Sequence, residues 1–340
     1  MNPIRILVVD DSLLMRRVLS DLLQSDPRIS VVGTANDGED AIAKVSALNP
    51  DVVTMDVEMP KMNGLTALRK IMEIHPVPVI MVSSLTQREA ALTLRALEIG
   101  AVDYMPKPNG PTSLNMDSVK NELLEKVKNA VSANMQLNTN LVESMEHEKR
   151  PHGLCDKVIS IAASTGGPSA LTKVLSHLPR DMPPILVVQH MPIGMTKWFA
   201  AGLANECKFR VKEAEEGDFV QAGLALIAPG GFHMVVTKTG KITLNQDPPI
   251  NYVRPAADVS MISAAHTFGS KNIGVVLTGM GSDGAMGIKA IKENGGKTIA
   301  QDEKTSVIFG MPNEATKTGC VDIVAALERI PKEIINACEK

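Results

Sequence analysis

Five polar residues in the first third of the chain sit just past short apolar runs. Asp10 and Asp11 follow Ile4–Val9, Asp56 follows Val52–Met55, and Ser83 follows Val79–Val82. Lys107, with Pro108 behind it, follows Tyr104–Pro106. Three carboxylates brought to one sheet edge repel unless a hard cation neutralises them, and Mg²⁺ is held by a few carboxylates plus water and phosphate. Lys107 adds a point positive charge and Ser83 a hydroxyl donor. Such a set suits phosphoryl transfer onto a carboxylate, with metal and lysine stabilising the phosphoryl oxygens. Any one of these residues alone would pass as a solvated loop group; five at the ends of four apolar runs do not.

A second set lies beyond residue 155. Ser164 follows Lys157–Ala163 and precedes Thr165-Gly166-Gly167-Pro168, which suits a tight strand-to-helix turn with Pro at a first helical position. His190 follows Ile185–Gln189, and Asp283 lies in Gly279-Met280-Gly281-Ser282-Asp283-Gly284, just after Ile273–Thr278. A serine needs a base near neutral pH, and the base needs a carboxylate to fix its tautomer and stabilise its charged form. The segment Ala162-Ala163-Ser164-Thr165-Gly166 lacks the first glycine of G-x-S-x-G, so the α/β-hydrolase elbow is not matched. His233 and His266 follow no parallel strand and are weaker candidates for the base.

The elements that must position these groups follow from apolar periodicity. Over residues 4–130, β-branched runs (Ile4–Val9, Ile29–Ala35, Asp51–Met55, Val79–Ser83, Ala101–Met105) alternate with helical patterns near 14–25, 38–47, 64–74, 87–98 and 117–133. That alternation predicts right-handed crossovers and a buried parallel sheet. Residues 134–153 are polar and mixed in charge, and read as a linker. The alternation then restarts. Strands are predicted at Lys157–Ala163, Ile185–Gln189, Leu224–Ala228, Met234–Thr237, Lys241–Leu244, Ile273–Thr278 and Lys297–Gln301. Helices are predicted at 168–178, 195–205, 256–268, 284–294 and 321–338, and Thr237-Lys238-Thr239-Gly240 marks an antiparallel hairpin joined to an otherwise parallel sheet. In open α/β folds the carboxyl edge of the strands is where ligands bind, and both residue sets lie on such an edge.

Composition narrows the functions. At 340 residues, 44% hydrophobic and 21% charged, the chain is a two-domain globular protein, not a disordered one. A net charge of −3 and only nine aromatic rings argue against nucleic-acid binding. No apolar stretch reaches the roughly 20 residues a membrane span needs. The four scattered cysteines (Cys155, Cys207, Cys320, Cys338) form neither a zinc ribbon nor a disulfide framework, which points to the cytoplasm.

Asp10-Asp11, Asp56, Ser83 and Lys107-Pro108 resemble the response-regulator receiver domain over residues 3–125. The resemblance implies a flavodoxin-like (βα)₅ fold and Mg²⁺ held by Asp10, Asp11 and Asp56. It also implies transfer of a phosphoryl group from a chemotaxis histidine kinase onto Asp56, with Tyr104 at the aromatic switch position. Ser164-Thr165-Gly166-Gly167-Pro168, Gln189-His190-Met191-Pro192 and Thr278 to Gly284 resemble the catalytic domain of the chemotaxis-specific protein-glutamate methylesterase family over 155–338. That resemblance implies hydrolysis of glutamate γ-methyl esters on methyl-accepting chemoreceptors and deamidation of receptor glutamines. It makes Ser164 the nucleophile, His190 the base and Asp283 its orienter. Met280 supplies a backbone N–H to the oxyanion, Thr165 supports His190, and no cofactor is needed in this half. A monomer is expected, acting under phosphorylation control and without membrane insertion.

Two other readings compete. Gly279–Gly284 matches G-x-G-x-x-G, follows a strand and precedes Asp302, as in a nicotinamide dinucleotide site. Asp283 within that loop is electrostatically wrong for a pyrophosphate. Alternatively, the second half is a non-catalytic partner-binding output of a two-component regulator. Gly231, His233, Arg254 and Asp258 are further candidates to line the cleft, with no role readable from sequence.

Overall fold

The computed structural model describes residues 2–84, 86–108, 116–135 and 156–339, so most of the expected linker 134–153 lies outside the described residues. The chain divides into two compact units, residues 1–138 and 139–340. Among the described residues no helix is long and apolar enough to cross a membrane.

The first unit alternates β1 (Ile4–Val9), α1 (Leu13–Gln24), β2 (Ile29–Ala35), α2 (Gly38–Leu48), β3 (Val52–Asp56), α3 (Gly64–Ile74), β4 (Val79–Ser83), α4 (Gln87–Ile99), β5 (Asp103–Pro106) and α5 (Met116–Ala130). All strand pairs are parallel, in the order β2-β1-β3-β4-β5, the flavodoxin-like arrangement. β3 and β4 are buried along their whole length, which is why they read as continuous apolar runs. Ser12, Asp37, Asn63 and Thr86 cap the first four helices through side-chain oxygens.

The second unit runs β6 (Val158–Ala163), α6 (Gly167–Ser176), β7 (Ile185–Gln189), α7 (Met195–Glu206), β8 (Arg210–Glu213), β9 (Leu224–Ile227), β10 (His233–Val236) and β11 (Ile242–Asn245). It continues with α8 (Ala257–Phe268), β12 (Asn272–Val276), α9 (Ala285–Glu293), β13 (Lys297–Gln301), α10 (Met311–Lys317), β14 (Ile323–Ala325) and α11 (Ile330–Glu339). Seven strands form a parallel sheet in the order β14-β13-β12-β6-β7-β9-β8. The chain leaves β6 toward β7 and later returns on the other side through β12. The strand order therefore reverses between β6 and β12, the place where such sheets open a crevice.

Three expectations change. The β10–β11 hairpin is a separate two-stranded sheet, not a ribbon joined to the parallel one. The helix predicted over 321–338 is instead the edge strand β14, a 3₁₀ turn at Leu327–Arg329 and α11. Strand β8 and helix α10 are additional elements.

Candidate active site

In the second unit, Ser164 and His190 are register neighbours. β6 and β7 pair in parallel with Ala163 opposite Gln189, and the next residue on each side is the serine and the histidine. The His190 N–H donates to the Ala163 carbonyl at 3.2 Å, and the Ser164 N–H donates to Thr278, just past β12, at 3.0 Å. The Gly279 backbone presses on the serine, since a Cβ there would lie 2.7 Å from Ser164 Cβ. Only glycine permits this approach of the backbone at residue 279 to Ser164. Thr165 accepts from Thr278 Oγ1 through its carbonyl at 3.0 Å.

Asp283 reaches across from its loop. His190 Nε2 and Asp283 Oδ2 are 2.7 Å apart, and both side chains are largely buried. The Asp283 carboxylate also accepts from the backbone N–H of Ala257 (2.6 Å) and of Asp258 (2.9 Å), the first residues of α8. Burial pushes this carboxyl up, but the bond and charge of His190 and the two amides prevail, and its pKa falls below the usual carboxylate range. Among the described residues no hydrogen bond joins Ser164 Oγ to the imidazole. With Nε2 committed to the carboxylate, Nδ1 is the ring atom left for the serine.

Gln189, the one polar residue of β7, ties the two turns together. Its Nε2 donates to the carbonyls of Ser164 (3.0 Å) and His190 (3.2 Å). A polar residue ending an apolar strand, next to a candidate base, was the sequence signal for it.

The residues that had no role on sequence grounds acquire structural ones. His233 is buried; its Nδ1 accepts from Ala256 N–H at 3.2 Å, so Nε2 carries the proton and donates to Pro248 at 3.2 Å. Arg254 Nη1 donates to the Gln246 and Asp247 carbonyls, and the Gly231 N–H donates to the Arg254 carbonyl. These bonds fix the segment leading into α8. Asp258 accepts from the N–H groups of Gly284 and Gly287. Gly284, the last glycine of the G-x-G-x-x-G match, thus has its amide taken by a carboxylate and does not offer it to a dinucleotide phosphate.

In the first unit, Asp10, Asp11 and Asp56 each present an oxygen within 4.8 Å of the others. Asp10 and Asp56 are buried at the ends of β1 and β3; Asp11 is exposed. Lys107 Nζ stands 2.7 Å from Asp56 Oδ2 and 2.9 Å from Asp10 Oδ2. Only the Asp56 contact has hydrogen-bond geometry, so Asp10 Oδ2 is a buried oxygen short of a donor. That orphaned oxygen, in an all-oxygen set with one ligand open to solvent, fits a hard divalent cation such as Mg²⁺. Burial raises the Asp56 pKa to about 6 against the opposing pull of Lys107. Lys107 itself is lowered by burial but held above its ordinary value by the two carboxylates. Ser83 Oγ donates to Glu89 Oε2 at 3.0 Å rather than to the acidic cluster. Tyr104 is buried, and burial holds its hydroxyl pKa well above the usual phenol value.

The comparisons with known proteins agree with this division. The CheB methylesterase family matches residues 159–334, and the response regulator receiver domain matches 6–117. The protein-glutamate methylesterase/protein-glutamine glutaminase of Pyrococcus horikoshii is 52% identical over 347 residues, covering 99% of this chain and 94% of that protein. The protein of the same name from Geobacillus kaustophilus is 45% identical, covering 98% of this chain and 99% of its own length. The crystal structure of the Thermotoga maritima CheB methylesterase catalytic domain is 43% identical, with a TM-score of 0.52, covering 53% of this chain and 97% of that one. With a receiver domain ahead of a methylesterase domain and relatives matched end to end, the chain belongs to the CheB family of protein-glutamate methylesterases/protein-glutamine glutaminases.

Proposed function

We propose that the chain hydrolyses glutamate γ-methyl esters of chemoreceptors, and deamidates receptor glutamines, through Ser164, His190 and Asp283. Residues 155–338 are the catalytic domain and 3–125 the receiver that controls it. The observation that carries this reading is the buried 2.7 Å His190–Asp283 pair one register step from Ser164.

His190 Nδ1 accepts the Ser164 proton as Oγ attacks the γ-carbonyl carbon. The imidazolium then passes that proton to the departing methoxide oxygen, and methanol leaves. Water, deprotonated by the same nitrogen, attacks the acyl-serine, and the imidazolium returns that proton to the departing Ser164 Oγ, which restores the serine and neutral His190 and leaves a free glutamate. With a glutamine, ammonia is the leaving group and the remaining steps are the same. Asp283 stays ionised throughout, which fixes the proton on Nε2 and stabilises the imidazolium. Met280 offers its N–H to the developing oxyanion, and Thr165 supports His190. This half uses no cofactor.

In the receiver, Asp10, Asp11 and Asp56 would hold Mg²⁺, which when bound supplies positive charge against the phosphoryl oxygens. Asp56 takes the phosphoryl group from the chemotaxis histidine kinase. Lys107 holds the acidic pair together and pairs with the modified side chain, while Ser83 and Tyr104 respond to it. The protein works in the cytoplasm as a monomer.

Methanol release from methylated receptor tests both halves. Full-length protein should release methanol, faster with Mg²⁺ and a small-molecule phosphodonor, and Ser164→Ala should release none. Wild-type rates from Ser164→Ala reject the serine mechanism. A rate unmoved by the phosphodonor, with Asp56 shown to be modified, rejects the control.

A further inference from the structure

We infer that Asp258 is a positioning residue for this site: Asp258 and Asp283 cap each other's helices, and this reciprocal lock aims the Asp283 carboxylate at His190. The inference rests on the hydrolase reading above.

Neither helix at this junction starts with a side-chain cap of its own. α8 begins after Ala256, whose methyl group accepts nothing, and α9 begins after Gly284. The leading N–H groups of a helix need acceptors when they are buried. Asp283, immediately before α9, takes the Ala257 and Asp258 amides of α8. Asp258, in the first turn of α8, takes the Gly284 amide at 2.9 Å and the Gly287 amide at 2.7 Å, both through Oδ1. Both carboxylates are almost wholly buried, and each faces the positive end of a helix.

The Gly284 N–H belongs to the peptide that follows Asp283. Asp258 therefore fixes the backbone on which Asp283 turns, while α8 fixes the Asp283 carboxylate itself. The helices are in close contact here: a Cβ at Gly287 would fall 2.5 Å from Met261 Cβ, and Gly284 has φ +92. A shift of Asp258 is thus passed to the His190 partner without being absorbed by slack. The titratable groups that face the junction are Asp283 from the loop before α9, His190 after β7, and His233 on β10 through Ala256. Asp258 lies directly behind Asp283, so its charge acts on the carboxylate that faces His190. Burial and the Asp283 charge raise the Asp258 pKa to about 6, consistent with two carboxylates held close together.

The test uses full-length protein with Asp258→Asn and Asp258→Ala, beside wild type and Ser164→Ala. Methanol release by wild type and none by Ser164→Ala establishes the reading beneath; failure there is separate from failure here. The asparagine keeps an oxygen for the two amides, so kcat should stay within about threefold. Alanine removes the acceptor, and kcat should fall about 10–100-fold with KM little changed, the scale expected when a reacting group is displaced by about an ångström. The His190 ring resonances, followed by NMR in a Ser164→Ala background, should move in Asp258→Ala and stay close to wild type in Asp258→Asn, whether or not turnover occurs. Unmoved His190 resonances in Asp258→Ala overturn the inference. So does wild-type kcat in Asp258→Ala, or an equal loss of kcat in both variants.

Discussion

Gly167 and Gln189 interlock. The Gln189 Oε1 occupies the space where a Cβ on residue 167 would sit, at 2.0 Å, while its Nε2 bridges the carbonyls of Ser164 and His190. Gly167→Ala must push the amide away, and Ala163 Cβ at 2.9 Å blocks the alternative path. The expected result is a loss of about 1–3 kcal/mol in denaturant unfolding of the catalytic domain, the usual cost of overpacking. Slower ester hydrolysis should accompany it. An alanine variant with unchanged stability and rate would show that the bridge is dispensable.

Asp283→Asn separates charge from shape. Three donors converge on this carboxylate: Ala257 N–H, Asp258 N–H and the imidazole Nε2–H. A carboxamide has one acceptor oxygen, so at least one of those donors meets an NH₂ group. The expected fall in kcat is about 10⁴, the scale seen when the orienting acid of a serine protease is made neutral. Steady-state methanol release measures it; a fall of less than tenfold would mean that His190 needs no anionic partner.

Mg²⁺ should stabilise the receiver. Asp10 Oδ2 has no hydrogen-bond donor, and three acidic side chains share one pocket with a single ammonium. A ligand that binds only the folded state adds about 2.7 kcal/mol at a concentration of 100 Kd. Thermal unfolding of the full chain should show a higher receiver transition with Mg²⁺, and Asp11→Asn should reduce that gain. A wild-type transition indifferent to millimolar Mg²⁺ would remove the ion from this site.

Two buried carboxylates should give opposite pH signatures. The Asp258 pKa is raised to about 6 from 3.8, so the folded form binds a proton more readily than the unfolded chain does. Its ionised form therefore weakens the fold above pH 6, and the penalty is relieved as pH falls from about 6 toward 4. Asp283 is lowered, so its contribution is present above about 4 and is lost as pH drops through its folded value. Wild-type stability relative to Asp258→Asn should accordingly rise between pH 7 and pH 5. Calorimetry on the two proteins at each pH checks the sign, and a flat difference would contradict it.

Much of this was legible because the chemistry sits one residue past a buried parallel strand. Ser164, Asp10 and Lys107 are conspicuous as the first polar groups after apolar runs, and His190 directly follows the polar end of β7. Strand β8, Arg210-Val211-Lys212-Glu213, was not legible, since an edge strand with exposed charges lacks that contrast. Ile323–Ala325 reads as helix because three residues cannot display a period of two, and the apolar pattern of α11 follows soon after. Helix α10 spans only seven residues and starts at Met311-Pro312, too short for a periodic stripe. Asp258 was a candidate to line the cleft, but its role was not legible, for another reason. Its partners, Gly284 and Gly287, lie 26 and 29 residues away and meet it only when α8 and α9 pack.

The central place of β6 has a consequence for how the molecule is made. Ser164 has its β7 neighbour within 26 residues, but β12 joins β6 only after more than a hundred further residues, as the Ser160–Asn272 contact shows. A chain emerging from the ribosome thus carries its serine and histidine well before the aspartate that would tune them. On the proposed mechanism, a product that stops before residue 283 lacks the carboxylate partner of His190 and should hydrolyse esters far more slowly than the full chain.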